Sequence, residues 1–267
     1  MATWNLFKYF SPKSRSSGGD EQFVTGTKTL IPDPRVAGGL GRNHSFETAV
    51  AEIVDNSIDA GASQVLVRFI TDTDKPACLY VVDNGCGMTS KEIDVAMTLG
   101  GQRGYKNTDI GHFGVGLKAS SLGQAKTLIV ASKQDRSKPV ARRLVGERMA
   151  ATYECDLLSE DFARSVLGRS WGHFEDDAGT VVFWEDIKSF PRVFHGGDLD
   201  GFISSKIENL GRHLGLMFHR LLQQGGLAIT IDHEDMAVGE AGPPFPIMPV
   251  DPFGYNKSGH VDYPKTL

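Results

Sequence analysis

The stretch "AEIVDNSIDAGA", residues 51–62, decides how the chain is read. Val50, Ile53, Val54 and Ile58 recur at helical spacing, Ser45 stands where an N-cap belongs and Gly61 where a helix closes, so a helix is expected over 45–60. At about 100° per residue, Glu52, Asn56 and Asp59 fall in one narrow sector, with Asp55 off that sector and read as solvated. A charged helix face is ordinarily a solvated one. Two features count against that reading here. Asn has poor propensity in a helix interior, and like charges one turn apart repel unless a cation or partner relieves them. A neutral amide oxygen beside carboxylates suits a hydrated Mg²⁺, and a flanking carboxylate is then free to orient or deprotonate a water.

Two further stretches give that face something to meet. "VVDNGCGM" ends a strand in Asp83 and turns at once on Gly85 and Gly87. Such a D-x-G-x-G run is by itself only a tight turn. A carboxylate at a strand end can accept from an exocyclic amine, while the glycines let a flat ring approach the backbone. This favours adenine over guanine, whose O6 would face the carboxylate with like polarity. Cys86, inside the turn, is read as a small filler. "GGQRGYKNTDIGHFGVGLKASS" holds Gly100, Gly111, Gly114 and Gly116 and opens a helix at Leu117. Freed backbone N–H groups, a helix N-terminus and Lys118 together make an anion cradle. It is not a Walker A loop, because Leu117 separates Gly116 from Lys118.

Composition is that of an ordinary globular protein. The 267 residues are 40% hydrophobic and 23% charged, with a net charge of −5, which argues against a chain-wide grip on nucleic acid. Arg142, Arg143, His213, His219 and Arg220 are therefore read as solvated rather than as a nucleic-acid patch. Three scattered cysteines give neither a disulfide framework nor a zinc site. No apolar run is long enough to span a bilayer, so a cytoplasmic chain is expected, or a nuclear one in a eukaryote.

Along the chain, residues 1–44 read as an aromatic- and glycine-bearing arm, 45–240 as one domain, and 241–267 as a proline-rich tail without regular structure. Strands are expected at "SQVLVRFI", "ACLYVVD", "KTLIVAS", "VARRLVGE", "ATYECDLL", "TVVFWED" and "LAITID". Helices are expected from the Thr89–Glu92 capping box to about 99, over 117–122 and over 199–222. Successive strands without intervening helices imply an α/β domain with a mixed, largely antiparallel sheet.

Taken in order and at this spacing, these motifs resemble those of the GHKL ATPases, which include gyrase B subunits, the ninety-kilodalton heat-shock chaperone, MutL, MORC proteins and histidine kinases. The resemblance implies the Bergerat fold, a two-layer sandwich with helices on one face of a mixed sheet. It implies Glu52 as general base, Asn56 as the Mg²⁺ ligand with Asp59 in support, and Asp83 as the adenine-binding residue, with Gly85, Gly87 and Met88 shaping the adenine pocket. Gly111, His112, Phe113, Gly114, Val115, Gly116, Leu117 and Lys118 match the phosphate-binding motif. A mobile ATP lid from about Thr98, including Gly100, precedes them. Thr180, in "AGTVVFWED", matches the residue beside the adenine-binding aspartate.

Glu52 four residues before Asn56, together with "DNSIDAGA", resembles the gyrase, chaperone and MutL branch, and "IGHFGVGLKASSLG" looks most like MORC proteins and their bacterial relatives. An Mg²⁺-dependent, slow ATPase is implied, in which ATP closes the lid and drives homodimerisation of a clamp or switch, with client proteins and DNA as further partners. The alternative is a nucleotide-gated dimerisation module with little hydrolysis of its own. A protein kinase of the histidine type is disfavoured by Glu52. The tail, with "DPFGYNK", looks like the start of a transducer domain, of which too little follows to supply a lysine to the γ-phosphate.

Overall fold

The computed structural model describes residues 44–72, 75–98, 116–171, 179–191 and 199–251, all within the unit 34–267. The arm up to residue 43, the glycine-rich stretch 99–115 and the chain beyond 251 lie outside the described residues.

The helix expected from the opening stretch is α1 (Phe46–Asp59), started by Ser45, whose hydroxyl accepts from the Thr48 N–H at 3.2 Å. Past its end Gly61 takes φ +75°, a left-handed turn that a side chain would strain. β1 (Gln64–Asp72) and β2 (Lys75–Asp83) follow as an antiparallel pair. Thr89 and Glu92 close the capping box that opens α2 (Ser90–Met97).

Beyond the glycine-rich stretch come α3 (Gly116–Gln124), β3 (Ala125–Lys133), β4 (Val140–Val145), α4 (Gly146–Thr152), β5 (Asp156–Leu158) and α5 (Glu160–Leu167). The chain continues through β6 (Gly179–Ile187), α6 (Leu199–Met217), α7 (His219–Gln224), β7 (Ala228–Asp235), β8 (Glu240–Ala241) and β9 (Phe245–Pro246). Among the described residues the strands form one nine-stranded sheet ordered β5-β4-β3-β6-β2-β1-β7-β8, with β9 also on β7. Among the described strand pairs, only β1 and β7 run parallel. This is the mixed, largely antiparallel α/β sheet that the run of uninterrupted strands implies.

Period-two alternation sorts the two faces. Val65, Val67, Phe69, Leu79, Val81, Leu128, Val130, Val182 and Trp184 face the helix layer, where Val50, Ile53 and Val54 of α1 and Ile203, Leu210 and Leu214 of α6 meet them. Leu66, Tyr80, Val82, Ile129, Val181 and Phe183 point the other way, under Trp171 and Phe162, Val166 and Leu167 of α5. The second face thus carries a short helix that no motif announced. Its amphipathic period is short and set among polar residues.

Several boundaries differ from the sequence reading. "ATYECDLL" supplies only three strand residues, because Gly146 starts α4 and Tyr153 ends it in a left-handed conformation, φ 58°. The helix expected over 199–222 breaks at Phe218 into α6 and α7. Within the tail 241–267, expected to be irregular, Ala241 at the end of β8 and the residues of β9 extend the sheet instead. β9 lies on β7 and Ile247 enters the main core. Gly211 and Gly215 let this strap lie on α6, where a Cβ on Gly215 would come 2.5 Å from the Met248 carbonyl oxygen.

Beneath the second face, β1 and β7 align Arg68 with Asp232. Arg68 Nε and Nη2 donate to the two Asp232 oxygens at 2.8 and 2.7 Å, and Nη1 donates to Glu234 and to the Ser170 carbonyl, each at 3.0 Å. Arg169 donates to the other Glu234 oxygen, and the Arg68 guanidinium lies 5.4 Å from the Trp171 ring centroid. Three buried charges are fixed by the register of one parallel pair. Arg68→Ala strands the buried Asp232 carboxylate and leaves Glu234 to Arg169 alone, and a loss of about 3 kcal/mol or more is expected in denaturant unfolding. A loss under about 1 kcal/mol would show that the carboxylates find other partners.

Candidate functional site

The α1 helix divides its polar residues between two surroundings. Asn56 and Asp59 are exposed, and Glu52 and Asp55 are half-buried. Asn56 Nδ2 donates to the Glu52 carbonyl one turn back, which leaves its Oδ1 as the atom to present to a cation. Asp55 is not solvated as expected. Burial, aided by the charges of Glu52 and Asp59, pushes its carboxyl up to about 6. Ser57, one position past Asn56, faces inward and is 2% exposed.

Ser57 is where the first motif meets the second. Its hydroxyl lies 2.9 Å from Asp83 Oδ2 and 3.2 Å from the Ile53 carbonyl oxygen. The Gly85 N–H donates to Asp83 Oδ1 at 2.9 Å. The pairing of β2 with β6 sets Asp83 directly opposite Thr180, whose backbone also bonds the carboxyl. Burial pushes the Asp83 carboxyl up to about 6, against the opposing pull of the Gly85, Ser57 and Thr180 donors. The group is still an ionised acceptor at neutral pH.

The turn after Asp83 is fastened on both sides. Asn84 Oδ1 accepts from the Ser63 and Gln64 N–H groups, each at 2.9 Å, and the Cys86 N–H donates to the Ala60 carbonyl at 2.9 Å. Gly87 takes φ +67°, and a Cβ there would stand 2.0 Å from the Lys133 carbonyl oxygen. The turn therefore lies against the end of β3, where the buried Met88 donates its N–H to Ser132 Oγ at 2.8 Å. The Cys86 side chain is exposed rather than a filler, since its backbone is what the turn uses.

The third motif reaches the first at its C-terminal end. Gly116 opens α3 so close to Glu52 that a Cβ would lie 2.5 Å from Glu52 Oε2. The glutamate carboxylate and the N-terminus of α3 thus share one space. Leu117 is half-buried against the main core. Lys118 is 2% exposed, and its Nζ donates to the Ala96 carbonyl at 2.7 Å. An ammonium suits the orphan carbonyls at a helix C-terminus, so Lys118 holds the end of α2 in this state. Gly100, Gly111, His112, Phe113, Gly114 and Val115 lie outside the described residues.

The arrangement offers a buried acceptor, Asp83, at one end, a helix N-terminus beside the Glu52 carboxylate at the other, and the Asn56 amide and Asp59 on the same face of α1. That donor set fits a hydrated Mg²⁺. No group of three His, Cys, Asp or Glu side chains among the described residues is arranged as a metal cage, and Mg²⁺ needs only one or two protein oxygens when phosphates and waters supply the rest. Sequence reasoning missed Ser57 and Ser132. Each is a polar residue at a core-facing position of an apolar period, and that is the signal that marks them. Arg142, expected to be solvated, is instead buried on Asp94 and Ser90, and Arg143 is half-buried and bonded to Asp156, because the strand pairing turns Arg142 against α2.

A family model described as "Histidine kinase-, DNA gyrase B-, and HSP90-like ATPase" matches residues 44–162. The chain is 34% identical over 90 residues to "ATPase morc-1" of Caenorhabditis elegans and 35% identical over 100 residues to "MORC family CW-type zinc finger protein 1" of Homo sapiens. It is 35% identical over 92 residues to "Protein MICRORCHIDIA 1" of Arabidopsis thaliana. These alignments take in 33%, 35% and 33% of this chain but only 10%, 10% and 14% of those proteins. A solved structure titled "Crystal Structure of N terminal domain of a DNA repair protein" overlaps with a TM-score of 0.46 at 19% identity, over 82% of this chain and 56% of that one. The matched region spans all three motifs, so within one α/β domain residues 44–162 are similar to the GHKL-type, ATP-binding ATPases, with MORC proteins among the relatives.

Proposed function

We propose that the domain binds Mg-ATP along the α1 face and hydrolyses it slowly, with the nucleotide governing lid closure and homodimerisation. The observation that carries this reading is the shared space of Glu52 and Gly116, because it sets a half-buried carboxylate beside the helix terminus to which a γ-phosphate would be drawn.

At one end, Asp83 accepts from the exocyclic amine of adenine, held in its rotamer by Ser57 and Gly85. At the other, the N–H groups at the start of α3 receive phosphate oxygens. Asn56 Oδ1 is the protein ligand for Mg²⁺, with Asp59 ordering its waters, and the ion when bound neutralises phosphate charge. Glu52 orients the attacking water and takes its proton. Phosphoryl transfer asks mainly for such positioning and charge stabilisation, so one carboxylate in place suffices for slow turnover. The lid residues, the dimer partner, a following domain and any client or DNA contact belong to this proposal, as does a cytoplasmic or nuclear location. Among the described residues no helix is long and apolar enough to cross a membrane.

Glu52→Ala is expected to keep ATP affinity within about threefold and to lower phosphate release by roughly 10²-fold or more. Light scattering in the same sample would show the Mg-ATP dimer persisting. Wild-type turnover in that variant would remove Glu52 as the base.

Asp83→Asn is expected to weaken ATP binding by at least about tenfold in calorimetry, because an amide turned toward its Ser57 and Gly85 donors loses acceptor strength. Unchanged affinity would contradict the adenine assignment.

The pH dependence has a definite sign. A buried carboxyl raised to about 6 is neutral below that value and ionised above it, so ATP affinity should tighten as pH rises through about 6. The same shift works the other way on the fold, whose stabilisation from this group is present at low pH and lost as pH rises through about 6. An affinity that is flat between pH 5 and 7.5 would show that Asp83 is not the acceptor.

A further inference from the structure

Ser132, Thr180 and Asp83 stand in register across three adjacent strands, Ser132 opposite Thr180 on β3 and β6 and Thr180 opposite Asp83 on β6 and β2. Strand alternation aims all three at the helix layer, on the face that also holds Ser57. Ser132 is 0% exposed and so cannot touch a nucleotide.

Its hydroxyl has three neighbours. The Met88 N–H donates to it at 2.8 Å, it lies 3.1 Å from the Gly179 carbonyl oxygen, and it lies 2.9 Å from Thr180 Oγ1. A hydroxyl has one proton and two lone pairs. An N–H can only donate and a carbonyl can only accept, so one assignment satisfies every contact. Ser132 gives its proton to Gly179, and its lone pairs receive the Met88 N–H and the Thr180 hydroxyl. Thr180 Oγ1 is then left with lone pairs to present, beside the Asp83 carboxylate to which its own backbone donates. Two acceptors lie side by side where the base edge arrives.

We infer that Ser132 is a positioning residue that selects a 6-aminopurine over a 6-oxopurine without contacting the base, by holding the Thr180 hydroxyl as an acceptor and by anchoring the Met88 turn. The inference rests on the proposed ATP site. With Ser132 absent, the Thr180 hydroxyl is free to rotate and donate to a purine O6, and the Met88 N–H loses its buried acceptor. Gly179 has a part in the same device. Its φ of +130° lets β6 enter so close to β2 that a Cβ would stand 2.2 Å from the Asp83 carbonyl oxygen, and this closeness sets Thr180 at its post.

The test is calorimetric binding of ATP and of inosine triphosphate to the full chain at pH 7.5, for wild type, Ser132→Ala and Ser132→Thr. Wild type should prefer ATP. Ser132→Ala should narrow the ratio of the two Kd values by about fivefold or more, and Ser132→Thr, which keeps the hydroxyl, should restore it. A merely structural role would weaken both nucleotides alike and leave the ratio unchanged, and that result overturns the inference. So does a Thr variant that behaves like Ala. Should Ser132→Ala fail to fold by circular dichroism, Thr180→Val removes the hydroxyl that Ser132 directs and must narrow the same ratio. A wild-type chain that binds no ATP would instead overturn the proposed function itself, a result distinct from ATP binding with an unchanged ratio.

Discussion

The register of β3, β6 and β2 is the constraint on which the rest of the candidate site depends. It sets Ser132, Thr180 and Asp83 in one row and turns them toward the helix layer by the same alternation that sends Leu128, Val182 and Val81 into the core. A slip of one residue in any of the three strands would send that strand's polar residue to the α5 face. The apolar core therefore enforces the polar row. Packing and chemistry are specified by a single periodicity.

The α1 helix performs a related division around its own axis. Asn56 faces out and Ser57 faces in, so adjacent residues serve the open face and the buried acceptor. Glu52, one turn earlier, meets the start of α3. In the proposed ATP site the helix is thus a spacer between the base-binding end and the phosphate-binding end, and its rigidity sets their separation. The Arg68, Asp232, Glu234 and Arg169 network lies on the opposite face of the sheet and tightens the parallel pair on which α1 and α6 rest.

Much of this was legible beforehand, and the reasons are particular. The α1 helix and its caps, the Asp83 turn and the capping box of α2 are local features, decided by residues within a few positions of one another. The row containing Ser132 was not legible, because it depends on which strands pair and in what register, and β3 and β6 are separated by β4, α4, β5 and α5 in sequence. Lys118 was read as part of an anion cradle, yet its ammonium bonds the Ala96 carbonyl, a partner 22 residues away. Asp55 looked solvated because helical angle alone does not report what packs beside it. The edge strand β9 escaped notice because its prolines argue against a central strand, whereas a sheet edge tolerates them.

The most direct test of the account is a crystal structure of the chain with Mg²⁺ and a non-hydrolysable ATP analogue. The account predicts the adenine amine within hydrogen-bonding distance of the Asp83 carboxylate, the metal on Asn56, and the γ-phosphate between Glu52 and the N-terminus of α3. A nucleotide bound with its base away from Asp83, or its phosphates away from Gly116, would contradict it.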